Sequence, residues 1–150
     1  MIADFRKVDL DTLKDLPSGK TPLWGSMTLQ HMVEHLTDTF RIGNGTMTVG
    51  VVTPEDKVEK LKRIALFSDR EFQQNFKSPI LPPEPIPYRT ASMDDAVNTL
   101  KHEIEKFEQH YSTDKTRKEN HPVFGALTYD EWEAYHNKHF THHFKQFGLI

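Results

Sequence analysis

Histidine is the residue type that could do chemistry in this chain, because four of its nine histidines fall between His136 and His143. They lie in the segment YDEWEAYHNKHFTHHFKQFG, residues 129–148. His139 and His143 are four residues apart, so on a helix both imidazole rings share one face and can reach the same metal ion. The pairs with a spacing of three residues, His136 with His139 and His139 with His142, are secondary alternatives.

The aromatic side chains of this segment indicate which histidines face the core (Trp132, Phe140, Phe144 and Phe147). On a helical projection, His136 and His143 fall within the aromatic arc, and His139 lies at its edge. His142 falls well outside the arc. We therefore expect His142 to face solvent or an interface and to contribute nothing to a metal site.

A firm metal site needs a further ligand from another part of the chain. Residues 27–42 form the first predicted helix, which carries His31 and His35 at a spacing of four. His35 flanks the apolar stripe of that helix and His31 points nearly opposite, so His35 is the better candidate. Three neutral imidazoles with an open coordination position make a catalytic type of metal site. The alternative is that these histidines are solvated, or bonded to backbone carbonyls, and bind no metal.

Composition excludes several other functions. The absence of cysteine removes disulfides, Fe–S clusters, thiolate zinc sites and cysteine nucleophiles. With 22 acidic and 19 basic residues the net charge is −3, so we expect no nucleic-acid partner. No apolar stretch approaches the ~20 residues that span a bilayer, and the N-terminus lacks the pattern of a signal peptide. We therefore predict no membrane association and a cytoplasmic location.

Helical periodicity predicts the elements that must position these histidines. The four predicted helices cover residues 27–42, 54–65, 92–111 and 128–147. The last is the best marked, because Thr128 and Glu131 have the spacing of a capping box. Ser68 and Glu71 have the same spacing, which predicts that a short helix continues the second one to about residue 76.

The connections between these helices are also readable. Residues 78–88, SPILPPEPIPY, contain five prolines, which predicts a long extended crossover because proline has no amide donor. Residues 112–120 are predicted to be a solvated loop, and residues 46–52 show only weak alternation typical of a strand. We predict a single all-α domain over residues 1–150, built as an antiparallel four-helix bundle with this long proline-rich crossover.

Two motifs resemble a known superfamily. WGSMTLQHMVEHL at 24–36 resembles the first helix of the DinB/YfiT-like metalloenzymes, in which a histidine at the position of His35 is a ligand. HPVFGALTYDEWEAYHNKHFTHHFKQFGL at 121–149 resembles the C-terminal signature of an uncharacterised branch, with an H-x-x-H-H-x-x-Q pattern beginning at His139. The resemblance implies an up-down-down-up bundle, commonly dimeric. It also implies a zinc or nickel ion on His35, His139 and His143.

The expected function follows from that resemblance. Characterised relatives include thiol S-transferases and a thiol-dependent isomerase, so we expect a divalent-metal-dependent enzyme that activates water or a thiol. Its reaction would be transfer or hydrolysis on a small molecule, with a low-molecular-weight thiol as one partner and a homodimer as the assembly. The alternative is a non-catalytic, metal-stabilised bundle that binds a small molecule or a protein.

The sequence names no firm general base. Its weak candidates are Glu34, Asp38, Tyr135 and Gln146, of which the last two could instead orient a ligand imidazole. His121 either packs against the pocket or belongs to the turn that leads into the last helix.

Overall fold

The computed structural model describes all 150 residues and is mostly helical, which confirms the all-α class. Its α-helices are α1 (Leu29–Gly43), α2 (Glu55–Leu66), α3 (Met93–Tyr111) and α4 (Tyr129–Gln146). The strands β1 (Glu119–His121) and β2 (Gly125–Leu127) form one small antiparallel hairpin. Two short 3-10 helices, Phe5–Lys7 and Leu10–Asp15, precede α1. No helix combines the length and the apolar character needed to cross a membrane.

Side-chain caps fix where three of the helices begin. The Thr28 side chain accepts from the amide of His31 at the start of α1, and Ser92 does the same for Asp95 at the start of α3. Thr128 and Glu131 form the predicted capping box of α4. These caps use amide donors that have no partner within the helix, so each helix starts within two residues of its predicted position.

The core lies between α1, α3 and α4. Helix α1 packs mainly against α3, and α4 lies against both α1 and α2. Phe40, Phe107, Trp132 and Phe140 are fully buried at this junction. Phe5, from the first 3-10 helix, is 1% exposed and packs on Phe40 with ring centroids 5.2 Å apart. The N-terminal segment thus contributes an aromatic side chain to the core.

The predicted helix over residues 68–76 is wrong. The Ser68 hydroxyl donates to the carbonyl of Ile64 and accepts from the amide of Arg70, so it turns back on the end of α2. The Lys138 ammonium of α4 donates hydrogen bonds to the carbonyls of Ala65, Ser68 and Arg70. Because those carbonyls are already bonded, the chain after α2 leaves the helical path and extends along α4.

The weak alternation at residues 46–52 corresponds to no strand, and the two strands lie elsewhere. Residues 46–52 form no strand, whereas part of the predicted loop 112–120 pairs with the segment before α4. In that hairpin Glu119 faces Leu127 and His121 faces Gly125. Gly125 has a φ of +75°, a conformation that favours glycine, so it permits the tight turn.

The proline-rich crossover at 78–88 contains neither helix nor strand, as predicted, and is fastened to α1. His31 Nε2 lies 2.9 Å from the carbonyl oxygen of Ile86, and the Tyr88 hydroxyl lies 2.7 Å from Thr28 Oγ1. His31 was expected to point away from the buried stripe; it is half-buried and contacts the crossover. Its role is to hold the crossover beside the first helix.

Candidate metal centre

Helices α1 and α4 bring His35, His139 and His143 together, although His35 lies 104 residues from His139 in sequence. His139 Nε2 lies 2.9 Å from His35 Nε2 and 3.0 Å from His143 Nε2. One nitrogen from each ring can be chosen so that all lie within 4.8 Å of one another. The three histidines that spacing and resemblance selected therefore converge on one point.

Gln146 fixes the protonation pattern of His143. Its side-chain oxygen lies 2.7 Å from His143 Nδ1, and its amide nitrogen donates to the Trp24 carbonyl at 3.0 Å. With Oε1 as the acceptor, Nδ1 carries the proton and Nε2 of the neutral ring presents its lone pair toward His139. Gln146 therefore orients a candidate ligand, one of the two roles that the sequence allowed for it.

Burial keeps the three rings neutral. It lowers the pKa of His35 to about 4, helped by the positive charges of His142 and Arg89 nearby. Burial also takes the pKa values of His139 and His143 well below the ordinary range, and each is lowered further by neighbouring histidines. Neutral imidazole is the form that coordinates a metal, so the site is ready to bind one without first losing protons.

A divalent ion fits this donor set. Metal–nitrogen bonds of ~2.0–2.1 Å in a tetrahedron place the nitrogens about 3.3 Å apart. The two short nitrogen–nitrogen separations, 2.9 and 3.0 Å, are close to that value. A set of imidazoles suits zinc, nickel, copper and iron better than magnesium or calcium, which prefer oxygen ligands. The three histidines could thus hold a transition-metal ion.

Two of the candidate bases are engaged elsewhere. Glu34 is 5% exposed and accepts from the Arg89 amide at 2.9 Å and the Thr90 hydroxyl at 2.7 Å. Burial alone would raise the pKa of Glu34, but these hydrogen bonds and the Arg89 charge more than offset it, and the pKa is lowered. Asp38 lies 2.8 Å from Arg89 Nη2. Both carboxylates hold Arg89, which follows the crossover, so they serve the fold.

The other histidines of α4 are placed differently. His136 is fully buried and stacks on Phe40 with centroids 3.7 Å apart, which confirms that it faces inward. It is not a member of the three-histidine group. His142 was expected to face solvent or an interface, but it is half-buried and lines the cavity described below. The reason is Trp24, from the segment before α1, which covers it at a ring distance of 5.7 Å.

The three-histidine site lies in the wall of a cavity of about 890 Å³. The lining is predominantly apolar and includes Ile64 from α2 and Phe124 from the hairpin. Phe72, in the extended segment after α2, lies 6.4 Å from the His139 ring, and exposed Phe76 and Ile80 also line the cavity. A cavity of this size accommodates a small organic molecule beside the histidines.

Sequence reasoning missed part of this wall. Phe72 was assigned to a helix that does not exist, and no periodicity marks an extended segment that packs against a helix by single side chains. Lys138 was not singled out at all, although it bonds the backbone of that segment. A lysine among inward-facing aromatic residues is the one local signal that could have indicated its role.

Fold and site together define an all-α protein with a largely buried three-histidine group that could hold a metal ion. The chain belongs to the family described as "Protein of unknown function (DUF1569)", whose model matches residues 61–148. That segment contains His139 and His143, whereas His35 lies before it. Comparisons with curated proteins and with solved structures gave no significant match.

Proposed function

We propose that the protein is a divalent-metal-dependent enzyme that acts on a small molecule, with His35, His139 and His143 as the metal ligands. The observation that carries the proposal is the convergence of three neutral imidazole nitrogens in the wall of a largely apolar cavity. Three protein ligands leave a coordination position open, which is the feature that separates catalytic from structural sites.

The chain's own residues would prepare the reaction. Gln146 keeps the Nε2 lone pair of His143 directed at the site, through its 2.7 Å hydrogen bond to Nδ1. Phe72 and residues of the proline-rich crossover line the cavity beside the histidines. When bound, the divalent ion supplies Lewis acidity, which makes a water or thiol ligand a better nucleophile at neutral pH.

Finer features of the proposal rest on the resemblance to the DinB/YfiT-like superfamily. It supports zinc or nickel as the ion, an up-down-down-up four-helix bundle, a homodimer and a low-molecular-weight thiol as one reactant. The H-x-x-H-H-x-x-Q pattern carries that resemblance, and here Gln146 bonds His143 while His139 adjoins it. The reaction would be transfer of the thiol to a small electrophile, or hydrolysis.

One observation favours a second candidate, a non-catalytic binding protein. The carboxylates of Glu34 and Asp38 are both held by Arg89, so neither is free to take a proton from a nucleophile. A bundle that needs no general base could use the metal to stabilise the fold and the cavity to bind a ligand.

Metal analysis by mass spectrometry after dialysis against zinc or nickel tests the proposal. We expect one ion per chain in the wild type and in His102→Ala, which changes an exposed histidine of α3. His139→Ala should retain none, since His139 adjoins both other ligands. Retention of the ion by His139→Ala would contradict the proposed ligand set.

Activity then separates the two candidates. The metal-loaded protein is assayed for transfer of glutathione to chlorodinitrobenzene and for hydrolysis of a panel of small esters and amides. Turnover that is lost in His139→Ala and after metal removal supports the enzyme. Stoichiometric metal with no turnover in any assay supports the binding protein.

A further inference from the structure

Two polar groups of the cavity lie outside the three-histidine set and have no partner in the protein. The first belongs to His121, in β1. Its Nδ1 accepts from the backbone amides of Val123 at 3.0 Å and Phe124 at 3.2 Å. A neutral imidazole that accepts at Nδ1 must carry its proton on Nε2. The hairpin turn therefore makes His121 Nε2 a hydrogen-bond donor.

Burial keeps this donor in place. His121 is 7% exposed, and burial lowers its pKa to about 3, so the ring is neutral at physiological pH. Its Nε2 makes no hydrogen bond in the protein, yet it is not among the fully enclosed polar atoms without partners. Because His121 lines the cavity, the accessible Nε2–H is available to a ligand there. The turn and the pocket were alternatives for His121 in the sequence, and the residue serves both.

The second donor is the hydroxyl of Tyr135, one helical turn before His139 on α4. Tyr135 is 6% exposed, lines the cavity, and its hydroxyl bonds no protein group while remaining accessible. Burial raises its pKa, so the hydroxyl stays protonated and acts as a donor and not as a base. The Tyr135 ring lies 4.5 Å from the His121 ring and 5.0 Å from the His139 ring.

His136 provides a contrast, because its polar atoms also lack partners but are not accessible from the cavity. Both of its ring nitrogens are fully enclosed and without partners, and it does not line the cavity. Its polar atoms can meet no ligand. The donors of His121 and Tyr135 are of the opposite kind, because they are held at the cavity wall and satisfied only by what enters it.

We propose that His121 Nε2–H and the Tyr135 hydroxyl together bind the carbonyl oxygen of an apolar substrate beside the three-histidine site. Both donors are neutral and each offers one hydrogen bond, which suits the two lone pairs of an uncharged carbonyl oxygen. The apolar lining suits the rest of the molecule. The inference deepens the proposed function by naming its substrate class, a carbonyl compound with a hydrocarbon body.

The test uses protein freed of metal with EDTA, so it does not depend on metal binding. Acetophenone is the probe, and ethylbenzene is the matched compound without the carbonyl oxygen. Affinities come from NMR titration, and the infrared carbonyl stretch of bound acetophenone reports hydrogen bonding directly. Tyr135→Phe removes only the hydroxyl. His121→Asn keeps an acceptor for the turn and removes the Nε2 donor.

Loss of one hydrogen bond worth ~1 kcal/mol weakens binding about five-fold. We expect that loss for acetophenone in each variant, no change for ethylbenzene, and a carbonyl stretch that shifts to lower frequency only in proteins that keep the donors. His102→Ala, which changes an exposed histidine outside the cavity lining, should behave as wild type. Equal affinity of both probes for the wild type would overturn the inference. So would a carbonyl stretch in the double variant, Tyr135→Phe with His121→Asn, that is the same as in the wild type. Because no metal is present, these outcomes are independent of whether the proposed metal site is correct.

Discussion

Replacement of Lys138 by methionine should loosen the segment that forms one wall of the cavity. The Lys138 ammonium donates to the carbonyls of Ala65 at 2.7 Å and of Ser68 and Arg70 at 2.6 Å each. It is 9% exposed, and its hydrogen-bond partners are these three backbone carbonyls. Methionine keeps an unbranched chain that is one heavy atom shorter, and it removes all three donors.

The size of the effect follows from those bonds. Hydrogen bonds to a charged group contribute roughly 1.5–3 kcal/mol each, but removing a buried ammonium also removes its desolvation cost, and water can reach carbonyls near a helix end. We therefore expect about 1 kcal/mol per bond, or ~3 kcal/mol in total. For a chain of this length that corresponds to a decrease of about 6–12 °C in melting temperature.

Thermal unfolding followed by far-ultraviolet circular dichroism measures this decrease. Lys60→Met is the control, because Lys60 is an exposed residue of α2 without an ion pair. If Lys138→Met has the same melting temperature as Lys60→Met, the Lys138 ammonium does not stabilise the end of α2 and the segment after it. Lys138 would then also not be the reason that residues 68–76 leave the helical path.

Three further predictions concern stability and the ligand set. The buried ring of His136 is neutral in the folded protein because burial lowers its pKa, whereas in the unfolded chain it takes up a proton below about pH 6.5. The wild type therefore loses stability as the pH falls from 6.5 toward the lowered pKa of the folded state. Urea titrations of His136→Phe should therefore show greater stability than wild type and a pH dependence weaker by up to ~1.4 kcal/mol per pH unit, and parallel curves would contradict this. Gly125→Ala should lower the melting temperature, since the new Cβ would lie 2.7 Å from Val58 Cγ1 at a φ of +75°; an unchanged melting temperature would show that the hairpin turn adapts. His142→Ala should keep the wild-type metal content, and a stoichiometric loss on elemental analysis would mean that the wrong α4 histidines are assigned as ligands.

The parts of the fold that could be predicted from the sequence are those set by residues close together in the chain. Ser92, Thr128 and Glu131 act through neighbours a few residues away, so their caps were predictable. The segment after α2 is set by Lys138, 68 residues or more along the chain, and a capping-box pattern at Ser68 carries no information about that partner. Residues 68–76 therefore form no helix because a tertiary contact outweighs their local preference for one.

Some residues of the candidate site could likewise be predicted from local patterns, and others could not. His139 and His143 were readable because helical periodicity places them on one face, and His35 because it flanks an apolar stripe. The burial of His142 was not readable, because Trp24 reaches it from a segment with no regular structure. The sequence indicated a turn at His121, but the donor state of its ring depends on the amide hydrogen bonds within that turn, which only the structure shows.

The central claim is that one metal ion bridges the two distant parts of the chain, and the effect of EDTA on the melting temperature tests it most directly. An ion present at 100 times its dissociation constant stabilises the folded state by ~2.7 kcal/mol, so EDTA should lower the melting temperature of the metal-loaded wild type by about 5–11 °C. His35 is the decisive position, because it lies outside the segment that the family model matches and reaches His139 from α1 at 2.9 Å. We predict that EDTA changes the melting temperature of His35→Ala only slightly. It should lower the melting temperature of the His102→Ala control as much as that of the wild type. An equal decrease in wild type and His35→Ala would contradict the account, because a metal would then stabilise the protein without its ligand from the first helix.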